Sequence, residues 1–255
     1  MNPPEHQTVS TLAARGEVSP AEAEEMHRLL GRYFDGVGRE QFLRDLAEKT
    51  HVIRLRRGPE LVGFSTLLAY ETDFENQPVS MIYSGDTIVS PEAWGSTALP
   101  RAWIAAVNQI RIGFPRGRYF WLLLTSGFRT YRFLPLFWRD FYPRYDRPMP
   151  AFERRLIEHL GRQRFGDQYD ADRGVVRFYQ PQRLRPELGG IPLTRTRDPH
   201  IDFFQARNPG HGRGDELVCL TELTAENLTA AGRRMVGSPR QAKPQPLEVV
   251  QPVAI

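Results

Sequence analysis

The stretch VSMIYSGDTIVSPEAWGSTALPRAWIAAVNQIRIGFPRGRYFWLLL, residues Val79–Leu124, decides the fold. It predicts a long strand at Val79–Val89 that contains Gly85, then a loop, an amphipathic helix at Ala98–Ile112 and an apolar strand at Tyr119–Leu124. Continuous apolarity is typical of strands that are buried on both faces, as parallel strands are. This order points the free N–H groups of a helix N-terminus beyond the strand end, and that position suits a phosphate.

The chain before and after this stretch also alternates helices and strands. Ser19-Pro20 predicts a helix start, because serine is a good N-cap and proline suits the first helical position. The other predicted elements up to residue 141 are a strand at Gln7–Ala13, a helix at Arg39–Lys49, a hairpin of His51–Arg57 with Leu61–Tyr70, and a helix at Phe128–Phe141. The resulting order is β-α-α-β-β-β-α-β-α.

Composition restricts the class of protein. No apolar run approaches the ~20 residues that span a bilayer, and no basic segment precedes an apolar one at the N-terminus, so we expect a cytoplasmic protein without a membrane span. The single cysteine, Cys219, excludes an internal disulfide, and scattered histidines predict no metal site. The net charge of +4 comes from dispersed arginines, so nucleic-acid binding is not expected.

The composition changes after Pro143, which predicts a boundary. We expect one domain at residues 1–145, and a C-terminal α+β extension at 146–237 that packs on it. Residues 238–255 are rich in proline and aperiodic, which predicts a disordered tail.

The order of elements, with a glycine inside the long strand and a helix after its end, resembles the GNAT superfamily of acyl-CoA N-acyltransferases over residues 7–142. The resemblance implies an α/β fold with a mixed central sheet flanked by helices. In that family a loop of the form Arg/Gln-x-x-Gly-x-Gly/Ala holds the pyrophosphate of CoA. The matching residues 94–99 (WGSTAL) keep one glycine but lack the leading Arg or Gln and the second glycine. This departure leaves room for an acyl-carrier-protein donor, or for a loop that merely caps the helix through Ser96 or Thr97.

The resemblance implies a donor site along the long strand, the loop and the end of the next strand. Gly85 is expected to form a β-bulge that polarises the thioester carbonyl, although a glycine can also permit close packing. The implied donor-binding residues are Gly85, Ile88, Val89, Trp94, Gly95, Ser96, Thr97, Ala98, Thr125 and Ser126.

Acyl transfer to an amine needs an unprotonated amine, a stabilised oxyanion and a proton for the leaving thiolate. Asp86 is the first candidate for the base, because a carboxylate in mid-strand is costly unless it is paired or functional, and Glu92 is the second. Tyr131 matches the family's acid, a tyrosine early in the helix after the fifth strand. The alternatives are a salt bridge of Asp86 with an arginine and a packing role for Tyr131.

These observations predict an N-acyltransferase that moves an acyl group from acyl-CoA or an acyl-carrier protein to an amine by direct attack, with no tightly bound cofactor. Two other functions stay open. The chain could be a non-catalytic binding module that keeps the fold, or an enzyme similar to the acyl-homoserine-lactone synthases.

Overall fold

A computed structural model describes residues 7–190 and 198–236, and the tail predicted at 238–255 lies outside them. The strands of the described part are β1 (Thr8–Ala14), β2 (Phe34–Asp35), β3 (His51–Arg57), β4 (Glu60–Phe74), β5 (Gln77–Val89), β6 (Arg118–Thr125), β7 (Phe141–Tyr142), β8 (Tyr169–Asp170), β9 (Val175–Val176), β10 (Arg183–Leu184) and β11 (Glu216–Glu222). Its α-helices are α1 (Pro20–Tyr33), α2 (Arg39–Ala47), α3 (Ala98–Arg111), α4 (Phe128–Tyr131), α5 (Phe133–Phe137), α6 (Ala151–Phe165), α7 (Pro186–Gly189), α8 (Pro199–Arg207) and α9 (Ala230–Met235). None of these helices combines the length and the apolarity that crossing a membrane requires.

One large sheet organises the molecule. Its strand order is β1-β3-β4-β5-β6-β11-β9-β8, with β7 also paired to β11, and β2 pairs with β10 separately. Neighbouring strands are antiparallel except β5 and β6, which are parallel and joined through α3. The predicted α/β fold, a mixed central sheet flanked by helices, is confirmed.

Helices cover both faces of the sheet. On one face, Trp103 of α3 and Tyr131 of α4 share a buried cluster with Trp121 of β6. On the other face α6 packs over the centre, where Leu156 contacts the side of β6 that carries Leu122. Helices α1 and α2 cover β3 and β4 on that same side, in a third cluster. The space between α2 and α6 therefore gives access to the middle of the sheet.

Strand β5 leaves β6 halfway along its own length, two residues before β6 ends. Their pairing runs from Val79 opposite Arg118 to Ser84 opposite Leu123 and then stops. At that point the β4–β5 register shifts, because Gly85 and Asp86 both lie opposite Thr66. An extra residue bends a strand and increases its twist, so β5 turns away from β6 and a V-shaped notch opens. The bulge predicted at Gly85 is present.

The C-terminal part of the chain contributes strands to the same sheet. Strand β11 pairs with β6 along its whole length, from Leu217 opposite Thr125 to Glu222 opposite Phe120. The Arg118 guanidinium donates to Glu222 at 2.9 and 2.7 Å and to Glu153 of α6 at 3.1 Å, which ties three elements together. The division of the chain at residue 145 stays a prediction.

One predicted helix differs in the structure. The helix expected at Phe128–Phe141 is two short helices, α4 and α5, followed by β7. Pro135 lies in the first turn of α5, where a missing N–H costs little. Further along the chain, Asp198 caps the start of α8 by accepting a hydrogen bond from the His200 N–H at 3.0 Å.

Candidate active site

A groove of about 2510 Å³ runs through the notch between β5 and β6. Trp103 and Phe128 line it from the α3 face of the sheet, and Leu160 and Phe165 line it from the α6 face. The groove is thus lined from both faces of the sheet, and its two halves meet at the bulge of β5. A notch of this kind lets two molecules approach the same point from opposite sides.

The loop after β5 forms one wall of the groove. The indole N–H of Trp94 donates to the Val89 carbonyl at 2.8 Å, which holds the ring against the strand end. The Arg129 guanidinium lies 4.3 Å from the centre of that ring and also donates to the Leu188 carbonyl at 2.6 Å. A cation stacked on an aromatic ring keeps its charge beside the start of α3.

The start of α3 is exposed and locally capped. The Ser96 hydroxyl accepts a hydrogen bond from the Ala98 N–H at 3.1 Å, and Thr97, the N-cap residue, makes no capping bond with its side chain. The Arg101 guanidinium donates to the Thr97 hydroxyl at 3.3 Å. Gly95 is exposed, and a Cβ there would meet no atom within 4 Å. This helix start has space and positive charge, which an anion requires.

The structure brings most of the predicted donor residues to the groove, and two of them only to its margin. Of the predicted donor residues, those that line the groove are Gly85, Ile88, Val89, Trp94, Ser96, Ala98, Thr125 and Ser126. Gly95 and Thr97 belong to the same loop but do not line it. Of the catalytic candidates, Asp86 lies in the groove, whereas Glu92 is exposed in the loop and lies outside it.

Two neighbouring side chains occupy the space that a side chain at position 85 would need. A Cβ on Gly85 would lie 2.6 Å from Cε of Lys49 and 2.7 Å from Oγ1 of Thr66. The close neighbours of this position are thus the side chains of a lysine and a threonine. Thr66 Oγ1 is buried without a hydrogen-bond partner among the described residues, which is a costly state for a hydroxyl.

Asp86 and Glu216 place two carboxyl groups beside the notch. Burial raises the pKa of Asp86 to about 6, with Lys49 opposing the rise, and Gln182 hydrogen-bonds the carboxylate. Burial raises the pKa of Glu216 to about 8, and the charge of Asp86 adds to the rise. Glu216 opens β11 next to Leu217, which pairs with the end of β6. Asp86 forms no ion pair with an arginine in the described part of the chain, so the salt-bridge alternative has no partner there.

Lys49 and Glu216 are site residues that the sequence interpretation missed. Lys49 is one of two lysines among 34 basic residues, which is a usable signal, since arginine serves everywhere else except position 243. Glu216 gave no such signal, because a glutamate at the start of an apolar strand is an ordinary boundary residue.

Tyr131 lies in the core and not in the groove. Its side chain is 0% exposed, and its hydroxyl donates to the Pro143 carbonyl at 2.9 Å. Burial raises the pKa of Tyr131 far above its usual value. The structure therefore places this hydroxyl where it holds the segment after β7, away from the other candidates.

For the acyl transfer that the sequence predicts, we expect Tyr131→Phe to leave the rate unchanged, and we expect it to lower the free energy of unfolding by about 1 kcal/mol, the usual effect of one lost hydrogen bond. Urea denaturation and thiol-release rates of the two proteins measure this. A drop of ten-fold or more in rate at unchanged stability would restore Tyr131 as the acid (~1.4 kcal/mol of barrier).

Cys219 is fully buried in β11, and burial raises the pKa of its thiol well above the usual value, so it is not positioned as a nucleophile. Among residues 7–190 and 198–236, no group of three or more His, Cys, Asp or Glu side chains could hold a metal ion.

Comparisons with known proteins find likeness in structure alone. No protein-family model matches the sequence, and no curated protein matches it. Among solved structures, the chain is similar to a conserved protein from Enterococcus faecalis, at 14% identity over 49% of this chain and 31% of that one, with a TM-score of 0.39. It thus spans about a third of that protein.

Two further structures are similar over about half of this chain. A GNAT-family N-acetyltransferase from Escherichia coli, in complex with CoA, matches at 13% identity over 52% of this chain and 71% of that one, with a TM-score of 0.38. An aminoglycoside acetyltransferase from an uncultured soil sample, in complex with sisomicin, matches at 18% identity over 45% and 76%, with a TM-score of 0.33.

Proposed function

We propose that this protein is an N-acyltransferase that moves an acyl group from acyl-CoA or an acyl-carrier protein to an amine. The notch between β5 and β6 carries the proposal, because it brings a bulged strand and two carboxyl groups to one point that is open on both faces of the sheet. Direct transfer requires that geometry, since donor and acceptor must meet in line.

The donor would enter from the α3 face. Its phosphates would lie at the start of α3, near the hydroxyls of Ser96 and Thr97 and the guanidinium groups of Arg101 and Arg129. The thioester would reach the bulge at Gly85, where a strand N–H released from the ladder can donate to the carbonyl oxygen.

The carboxyl groups would divide the proton transfers. Asp86, whose pKa of about 6 leaves it ionised at neutral pH, would accept the proton of the attacking ammonium. Glu216, with a pKa of about 8, holds its proton at neutral pH and would give it to the leaving thiolate. Paired groups whose environments hold their pKa values apart are suited to opposite roles in one reaction.

Donor binding separates this proposal from a non-catalytic module that has lost the donor loop. We expect acetyl-CoA to raise Tm, and at 100 times Kd the stabilisation is about 2.7 kcal/mol. Gly85→Ala places a methyl group against Lys49 and Thr66, and we expect it to lower the transfer rate at least ~10-fold, because small misplacements at the reacting atoms are costly.

Gly31→Ala is the matched control, because a Cβ at Gly31 meets nothing within 4 Å and alanine favours a helix interior. It should retain both the Tm shift and the rate. If neither an acyl-CoA nor an acylated carrier protein shifts Tm, and no amine in a panel releases thiol from either donor, the proposal fails and the binding module is favoured.

A further inference from the structure

Lys49 stands out because the chain otherwise uses arginine. The sequence has 34 lysines and arginines together, and only Lys49 and Lys243 are lysines; Lys243 lies outside the described residues. Arginine keeps its charge at any accessible pH, whereas lysine can lose a proton and then act as a nucleophile. A single buried lysine therefore supplies a chemistry that the surrounding arginines lack.

The side chain of Lys49 reaches the bulge. Lys49 follows α2 and is 7% exposed, and its Nζ lies 3.3 Å from where a Cβ of Gly85 would stand. The same Nζ lies 5.2 Å from the centre of the Tyr83 ring. Within the described part of the chain it forms no ion pair and donates no hydrogen bond. The amine thus sits, unpaired, at the place where the proposed function puts the thioester carbonyl.

The surroundings of Lys49 act on its pKa in both directions, and burial is the largest effect. Burial lowers the pKa of the amine, and Arg164 of α6 lowers it further. Asp86 of β5 and Asp45 and Glu48, at the end of α2, act in the opposite direction. A desolvated amine beside a second cation is the usual form of a reactive lysine.

We propose that the protein acylates itself on Lys49, an inference that rests on the proposed function. The Nζ lone pair attacks the thioester carbonyl carbon, the N–C bond forms, and the C–S bond breaks. Asp86 accepts the proton that the nitrogen loses, Glu216 gives the thiolate the proton with which it leaves as a thiol, and exchange with solvent restores both carboxyl groups. The products are one amide on Lys49 and one free thiol, with no oxidant or further reactant.

The amide would end the modification after one turnover. It carries no positive charge and is stable, unlike an acyl-enzyme intermediate. The acyl group would then fill the space over Gly85, so we expect acylated protein to bind donor more weakly than unmodified protein.

The experiment incubates full-length protein with acetyl-CoA and follows intact mass, then maps the adduct by peptide mass spectrometry. We expect one acetyl group per chain on Lys49, formed at least ~10-fold faster than any on Lys243, since orientation accelerates a bound amine. Lys243→Arg should react like the wild type, and Lys49→Arg should not react. Urea-unfolded protein is the reference in which both lysines react alike.

Lys49→Met, which keeps the length of the side chain, serves as a second variant if the arginine does not fit. Equal adducts on both lysines in the folded protein, or an adduct that persists in Lys49→Met at the wild-type rate, would overturn the proposal. So would the absence of an adduct. In that case a Tm shift with acetyl-CoA leaves the proposed function intact, whereas the proposed function fails too only if no acyl donor shifts Tm and no amine releases thiol.

Discussion

Asp86→Asn should abolish most of the acyl transfer and, above pH 6, stabilise the protein. We expect the rate of thiol release with acetyl-CoA and the best amine of a panel to fall about 10²- to 10⁴-fold, the range for loss of a general base. The amide keeps the shape of the carboxyl group but cannot accept a proton. Stopped assays at fixed substrate concentrations, repeated from pH 5 to 9, measure this.

The gain in stability follows from the pKa of Asp86. That pKa lies above the ordinary 3.8, at about 6, because burial disfavours the charged form. The stability that this carboxyl contributes is therefore full below pH 3.8 and is lost as the pH rises through 6. Asparagine resembles the protonated form, so the variant avoids the loss and should be more stable by about 1 to 3 kcal/mol at pH 7 to 8.

Denaturation at pH 4 and pH 8 separates a catalytic carboxylate from a structural one. If Asp86 served an ion pair that holds the fold, the asparagine variant would be less stable at pH 8, and its rate would fall only in proportion to unfolding. Asp45→Asn is a suitable control, because it removes a negative charge that acts on Asp86 and leaves the Asp86 carboxyl group in place.

Gly117→Ala should cause the largest loss of stability among the variants considered, about 3 kcal/mol or more. Gly117 precedes β6 with φ +64°, and a Cβ there would overlap the Pro78 carbonyl oxygen. Relief of that overlap would move the start of β6 away from β5, where the parallel pairing begins. Urea denaturation and the Tm shift with acetyl-CoA measure the two consequences.

Gly166→Ala is the matched control for Gly117→Ala. Gly166 also has a positive φ, of 55°, but its Cβ would meet no atom within 4 Å. Because its ψ is −125°, alanine there should lose only the ~1–3 kcal/mol of an unfavourable backbone conformation, without a steric clash. Equal losses at the two positions would show that the clash with Pro78 contributes nothing.

The sequence predicted elements whose signals are local. Ser19 caps α1 as expected, with its hydroxyl accepting from the Glu22 N–H at 3.2 Å, and the hairpin of β3 and β4 follows its alternation. The helix break near Arg132 also has a local signal, because Pro135 has no N–H to donate to the Tyr131 carbonyl one turn earlier.

The sequence predicted the site residues that are neighbours along the chain, but not those that folding brings together from distant segments. Gly85, Asp86 and Trp94 are neighbours in sequence, so their spacing already indicated a bulge and a loop. Glu216 and Lys49 line the same groove from distant segments of the chain, and only the folded structure brings them there. Glu92 and Tyr131 were candidates because of their positions in a motif. The turn after β5 leaves Glu92 exposed outside the groove, and the packing of α4 buries Tyr131 in the core.

Because β11 pairs with β6, the central sheet stays incomplete until β11 has been synthesised. Strand β6 emerges from the ribosome with β5 already available on one side, but its other edge stays unpaired until β11 is made, far later in the chain. That edge belongs to an almost wholly apolar strand, and exposed edges of this kind pair readily with other chains. Nascent chains that stall before residue 216 are therefore expected to depend on chaperones, and truncated forms ending there to aggregate rather than to fold.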